Sequence, residues 1–334
     1  MHIAVDAMGG DRGPGEIIEG VKTALTRHPE LRVTVIGPMD VLRGALTEGI
    51  PDRLSLLHSP EVITTEEPPL VAIRRKKDSS LMLGINMLRD RQTDAFLSCG
   101  STGAVMSGAL FNVGRIRGVK RPALSPTLPT RTGKALLIDC GANADCKPEY
   151  LVQFGHMGAA YMQVVHGIKN PRVGLVNIGV EEEKGNELYR EVHGLLKHSG
   201  LNFVGNIEAR DVPAGGADVL VCDGFTGNIL LKTMEGTASF IMGALKQELT
   251  RSALTKLAAA LLRGGFIAIK KKMDYTEYGG APLLGIDGCV IKAHGSSNAK
   301  AFSHAIEQAI AYIEGDVTRL ISERLSTSPE SGAR

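Results

Sequence analysis

The chain has 334 residues, 43% of them hydrophobic and 22% charged, which suits a globular protein with a large buried core in one big α/β domain or two smaller ones. A formal net charge of +2 with both signs interspersed argues against a nucleic-acid partner, and 4% aromatics argue against a base-stacking surface. Five cysteines, an odd number without a C-x-x-C pair, fit reduced thiols, and the nine histidines form no H-E-x-x-H, so neither a disulfide frame, a metal site nor a metal cofactor is expected.

The N-terminus "MHIAVDAMGG" lacks a basic n-region and Asp6 interrupts its apolar run, so a cytoplasmic chain is expected rather than a secreted one. "HIAV" predicts a first strand. The helix "GEIIEGVKTAL" follows, with Ile17, Ile18, Val21 and Leu25 on one face. Between them, "VDAMGGDRGPG" is too rich in glycine for an ordinary turn. A dinucleotide fingerprint starting at Gly13 would need glycine at position 18, where Ile18 stands, and no G-x-x-x-x-G-K-[ST] occurs. Downstream, "RVTVI", "LSLL", "AFLSC", "ALLID", "VGLVN", "NFVG", "DVLVCD" and "GCVIKA" read as strands alternating with helices such as "SSLMLGINMLRD", which opens on serine caps. Runs that are apolar at nearly every residue suit strands covered on both faces, hence an α/β fold with a mostly parallel sheet.

Most of these strands end in a small polar loop: Asp6 to Asp11, "CGSTG" (99–103), "DCGAN" (139–143), "NIG" (177–179), "CDGFTGN" (222–228) and "HGSSN" (294–298). Taken singly, each is an ordinary turn with a helix cap. Together, at the carboxyl ends of parallel strands, they are expected to line one crest where helix N-termini and glycine backbone hold phosphate or another small oxyanion.

The motifs "VDAMGGD", "STGA", "DCGAN", "EEEKGN", "DGFTGN", "YGGAPLLGIDG" and "HGSSNAKAF" resemble, in order and over nearly the whole chain, the bacterial phosphate acyltransferases, the acyl-carrier-protein:phosphate enzymes of phospholipid synthesis. The resemblance implies a three-layer α/β/α fold akin to phosphotransacetylase and isocitrate dehydrogenase. It also implies a homodimer, a peripheral place at the membrane, and conversion of long-chain acyl-carrier protein plus inorganic phosphate to acyl phosphate. That product would feed a membrane glycerol-3-phosphate acyltransferase. The sequence departs from the family pattern at Ser101, where Asn is usual, and at Thr226, where an apolar residue is common.

In such a reaction phosphate must be aimed within about 3–3.5 Å of the thioester carbon and the oxyanion stabilised, with no covalent enzyme intermediate required. Phosphate is assigned to Gly100, Ser101, Thr102 and Gly103 and to His294, Gly295, Ser296 and Ser297; Asp6, Gly9, Gly10, Asn143 and Gly227 join them as candidate substrate-binding residues. Lys184 is placed to neutralise charge, His294 to protonate the thiolate or donate to the oxyanion, and Asn228 stands with them as a candidate catalytic residue. The acids Asp6, Asp11, Asp139 and Asp223 are expected to orient donors, cap helices or pair with Lys184 and Arg12, because a carboxylate repels an anion. Cys99 offers a rival route through an acyl-thiol intermediate, against which stands its place at the end of an apolar strand.

From Lys232 to Tyr278 the β-α rhythm stops. "LTKLAAALLRGGFIAIKKK" predicts an amphipathic helical hairpin that turns at Gly264 and Gly265 and whose tip residues Leu257, Leu261, Leu262, Phe266 and Ile267, backed by Lys270, Lys271 and Lys272, suit either shallow membrane insertion or a dimer contact. The basic clusters "RRKK" (74–77) and "RIRGVKR" (115–121) are candidates to steer an acidic acyl-carrier protein. Residues 1–325 are read as one catalytic domain and 326–334 as a disordered tail. A coenzyme A-dependent phosphotransacylase, a dehydrogenase of similar fold and a membrane-associated scaffold are the alternatives.

Overall fold

The computed structural model describes residues 1–47, 49–267 and 279–327. Among the described residues, twelve strands form two sheets. β1 (His2–Asp6), β2 (Arg32–Gly37), β3 (Leu54–His58), β4 (Ala95–Ser98), β5 (Ala123–Leu124), β11 (Gly280–Leu284) and β12 (Cys289–Ala293) make the first, in the order β3-β2-β1-β4-β12-β11-β5. β6 (Thr127–Thr130), β7 (Gly133–Ile138), β8 (Val173–Asn177), β9 (Phe203–Glu208) and β10 (Val219–Val221) make the second, in the order β6-β7-β10-β8-β9. Pairing is parallel except where β11 meets β12 and β5, and where β6 meets β7.

Side-chain alternation sets the layers. In the first sheet Val5, Leu97 and Ile291 face one buried cluster while Ala4, Phe96 and Val290 face another, under α4 (Ser80–Arg89) and α5 (Thr102–Gly108). In the second, Leu136, Ile138, Val219 and Val221 join the first cluster, and Ala135, Leu137, Leu220 and Cys222 form a third. The shared cluster is filled by α1 (Pro14–Arg27), α6 (Pro148–Val165), α10 (Ala299–Glu314) and α11 (Val317–Thr327), through Ile17, Phe154, Met157, Phe302, Ile306 and Ile321. Both sheets are therefore covered on both faces, the expected α/β/α layering with mostly parallel strands.

The single crest expected from the sequence is corrected to two: the glycine-rich loops end strands of both sheets, and those after β1, β4, β7, β10 and β12 meet across a cleft, whereas "NIG" after β8 does not line it. Three strands, β5, β6 and β11, also escape the strand pattern. They are short or carry Pro129 and Pro282, and proline reads as a breaker although antiparallel and edge pairing tolerates it.

The remaining helices are α2 (Met39–Ala45), α3 (Pro69–Arg75), α7 (Glu187–Lys197), α8 (Gly224–Leu249) and α9 (Ala253–Leu261). α8 starts on Asp223, whose carboxylate accepts from Thr226 N at 2.8 Å, and runs for 26 residues, of which only Gly224, Gly227 and Leu230 are buried. α9 opens on a capping box between Ser252 and Thr255 and buries nothing. An apolar hairpin does project, with Phe240 and Leu254 each 76% exposed and Leu261 82% exposed, but its arms are α8 and α9, joined at residues 250–252; the turn expected at Gly264 and Gly265 is not there, because residues 263–267 are helical. Lys270, Lys271 and Lys272, with the rest of 268–278, and residues 328–334 of the expected tail lie outside the described residues. No described helix is long and apolar enough to cross a membrane.

Candidate functional site

A cleft of about 590 Å³ opens where the carboxyl ends of β1, β4 and β12 face those of β7 and β10. Its polar floor is Asp11, Gly100, Ser101, Thr102, Gly103, Lys292, His294 and Gly295. Across from it stand Asn228, Leu231, Lys232 and Glu235, spaced as one face of α8, and an apolar wall of Leu124, Pro126, Leu128 and Cys140. The two halves are tied at the base, where Leu124 N donates to Asp139 Oδ1 at 2.9 Å and Cys140 N donates to Leu124 O at 2.9 Å.

Of the residues singled out from the sequence, the structure brings Asp11, Cys99, Gly100, Ser101, Thr102, Gly103, Asn228, His294 and Gly295 into this cleft. Ser296 stands just behind it. Its N–H donates to His294 Nδ1 at 3.2 Å and its hydroxyl lies 2.8 Å from the same atom. A backbone N–H can only donate, so Nδ1 is the acceptor and the neutral ring carries its proton on Nε2. Burial holds the His294 pKa below the ordinary imidazole value, which keeps the ring neutral at neutral pH.

Other expectations are corrected. Asp6 does not line the cleft: its buried carboxylate accepts from Met8 N at 3.0 Å and Ser98 Oγ at 2.7 Å. Ser98 Oγ in turn accepts from Gly100 N at 2.9 Å, so that amide is committed to the protein rather than to an anion. Gly9 serves a neighbouring loop, since a Cβ there would sit 2.2 Å from Gly100 N; Gly10 likewise packs near Ile17 and Cys99. Asn143 is spent on Asp139 and on Pro122 O, and Gly227 lets α8 press against Asp139 O, 1.9 Å from where a Cβ would lie. Ser297 is buried beneath the floor with its N–H on His294 O at 3.0 Å.

The helix after "HGSSN" was expected to offer its first N–H groups to phosphate. Instead Asn298 accepts from Ala301 N and Glu16 accepts from Ala299 N at 2.7 Å, closing the start of α10. No side chain caps α5, which runs on from Ser101 into a π-helical turn at Ala109–Val113. Lys184 lies outside the cleft, exposed on the loop after β8, where its N–H meets Glu181 O and its carbonyl accepts from Asn177 Nδ2.

Asp139 explains why "DCGAN" is a loop of that composition. Oδ1 accepts from Leu124, Cys140 and Ala142 N–H groups, and Oδ2 from the backbone and side chain of Asn143. Burial pushes this carboxyl up to about 6 against the opposing pull of those donors. Cys99 is buried and its thiol is pushed up to about 12, chiefly by desolvation, so it is not an activated nucleophile.

Lys292 is the floor residue that pattern reading missed. In "GCVIKA" it looks like a strand residue, and the signal that points to it is a lysine inside an otherwise apolar parallel strand. Its ammonium donates to Cys99 O at 3.2 Å and to Ala293 O. Burial holds its pKa below the ordinary lysine value.

A family model described as "Fatty acid synthesis protein" matches residues 1–320. The phosphate acyltransferase of Thermoanaerobacter pseudethanolicus is 52% identical over 327 residues, covering 98% of each chain. That of Clostridium tetani is 49% identical over 328 residues, covering 97% of this chain and 98% of the relative. Among solved structures, a phosphotransacetylase from Streptococcus pyogenes superposes with a TM-score of 0.61 at 15% identity over 94% of each chain. A branched-chain phosphotransacylase from Enterococcus faecalis V583 gives 0.60 at 15% identity, over 94% of this chain and 99% of that one. Identities that low speak for the fold alone, a phosphotransacetylase-like α/β/α architecture. The end-to-end matches to the family model and to the curated relatives say more: this chain belongs to the phosphate acyltransferase family and is an acyltransferase.

Proposed function

We propose that the protein transfers the acyl group of long-chain acyl-carrier protein to inorganic phosphate, releasing acyl phosphate and free carrier protein for phospholipid synthesis. The observation that carries this reading is the pairing, in one cleft, of a donor-rich floor that holds Lys292 with an apolar wall: the first suits phosphate, the second the beginning of a fatty chain. A phosphate oxygen attacks the thioester carbonyl carbon, the tetrahedral oxyanion collapses, and the C–S bond breaks to give a thiolate that takes a proton. His294, with hydrogen on Nε2, is a donor for the oxyanion or the departing sulfur rather than a base. Asn228 supplies a neutral amide from the opposite wall. Direct transfer agrees with a Cys99 thiol that burial keeps protonated.

The surface supports the proposed partners. Arg74, Arg75, Lys77, Arg117, Lys120 and Arg121 are exposed, whereas Lys76 is spent on Glu67 at 2.7 Å and Val62 O. Such exposed basic clusters suit an acidic carrier protein. The bare apolar side chains of α9 suit a bilayer surface, where a membrane acyltransferase could take the product, or the same hairpin on a second copy in a homodimer. The test is thioester consumption with and without inorganic phosphate, comparing long-chain acyl-carrier protein with acyl coenzyme A. Phosphate-dependent loss with the carrier protein supports the reading. Preference for acyl coenzyme A would make the enzyme a coenzyme A-dependent phosphotransacylase, and no phosphate dependence would sink both.

A further inference from the structure

Three residues cross the central strands of the first sheet in one row. Asp6 is in register with Ser98, and Ser98 with Lys292. All three share the face that carries Ala4, Phe96 and Val290, so their side chains stand next to one another across strands about 4.8 Å apart. The two buried members are already satisfied. Ser98 Oγ donates to Asp6 Oδ2 at 2.7 Å and accepts from Gly100 N at 2.9 Å, fixing the start of the 100–103 loop. The third member reaches the cleft.

Two lysines line that cleft. Lys232 is held in an ion pair with Glu235 at 2.8 Å. Lys292 instead donates to two neutral carbonyls, Cys99 O and Ala293 O, and has no carboxylate within ion-pair distance among the described residues; Asp6 and Asp11 act on it only from farther away. A cation in a partly enclosed site with neutral acceptors as its contacts is costly until an anion joins it. The two carbonyls lie at the ends of β4 and β12, so they hold the ammonium between the 100–103 loop and His294.

We propose that Lys292 is the residue that binds the phosphate substrate, with the Asp6–Ser98 pair setting the loop beside it. Lys292 supplies the cationic charge of the site, a role that its sequence context hides and that the expected lysine, Lys184, does not fill from its place outside the cleft. The inference rests on the phosphate-dependent reaction proposed above.

The test separates anion binding from chemistry. Removing a charge-assisted contact of this kind should raise the KM for phosphate in Lys292→Met by about 10- to 100-fold, with the KM for acyl-carrier protein little changed and Lys292→Arg recovering part of the loss. An unchanged phosphate KM in a folded Lys292→Met protein overturns the proposal. Because Lys292 also ties two strand ends, a second measurement uses the unmutated protein: brief acetylation of lysines, read by mass spectrometry, with and without inorganic phosphate. Phosphate should protect Lys292 while exposed Lys77 and Lys120 label as before; equal labelling of Lys292 in both conditions overturns the proposal. Protection without phosphate-dependent thioester loss would leave the anion site standing and sink the reaction instead.

Discussion

His294 is positioned by two groups two residues away, and that arrangement decides its chemistry. With Nδ1 accepting from Ser296 N and Nε2 protonated, the ring can donate without first being charged. His294→Gln, which keeps a donor but no titratable proton, should lower kcat by about 10²- to 10⁴-fold if proton delivery to sulfur is the role, and far less if only the oxyanion is served; the kcat ratio of the two proteins reads this directly. Asp139 makes a different prediction. Its folded pKa of about 6 exceeds the ordinary 3.8, so the native state takes up the proton more readily than the unfolded chain. The stability it contributes is full below the unfolded value and is lost as pH rises through about 6. Asp139→Asn should flatten that part of the profile of urea midpoint against pH. It should also cost about 1–3 kcal/mol for each buried N–H left facing the new amide. A slope unchanged in the variant would assign the titration to another group. At Gly9, Ala would drive a methyl group into the Gly100 backbone, so Gly9→Ala should destabilise by about 1–3 kcal/mol and disturb the 100–103 loop. The glycines of "VDAMGGD" were legible as a close approach; what they approach was not, because the partner loop lies some 90 residues downstream in the chain.

At the scale of elements, the apolar stripe of α9 is where local pattern and fold agree most simply, although the turn of the hairpin falls before that helix rather than at Gly264 and Gly265. Leu254, Leu257 and Leu261 recur at helical spacing on α9, and the Ser252–Thr255 capping box starts the helix where the apolar stripe begins. None of that stripe is buried by the other described residues. If the stripe meets a bilayer, Leu261→Glu with Phe266→Glu should abolish flotation with anionic liposomes while sedimentation still reports the same oligomer. Unchanged flotation with a lost dimer would assign the hairpin to a second copy. Ser252→Ala should cost the hairpin about 1 kcal/mol through lost capping, seen as reduced protection of α9 amides in hydrogen exchange. The strands of the parallel core were equally readable from their apolar runs. β5, β6 and β11 were not, because two residues or a proline-broken segment become a strand only when a neighbouring strand supplies the hydrogen bonds.

For the whole molecule, a formal charge of +2 hides an uneven surface, with Arg74, Arg75, Lys77, Arg117, Lys120 and Arg121 exposed. If these steer an acidic carrier protein, kcat/KM with acyl-carrier protein should fall as salt shortens the Debye length to about 3 Å at 1 M, while turnover of a small thioester changes much less. A rate with the carrier protein insensitive to ionic strength would leave these clusters as ordinary solvated faces. Taken by itself, the amino-acid sequence determined the α/β class, the strands of the parallel core, the amphipathic stripe of α9 and the family, because periodicity and motif order are local properties of the chain. Only the tertiary structure decided that the loops meet across two sheets, that Asp6, Asn143 and Gly227 build the site without lining it, and that Lys292 rather than Lys184 faces the cleft. Those outcomes depend on strand register and on which buried N–H groups have already found acceptors, and neither is written in any single stretch of residues.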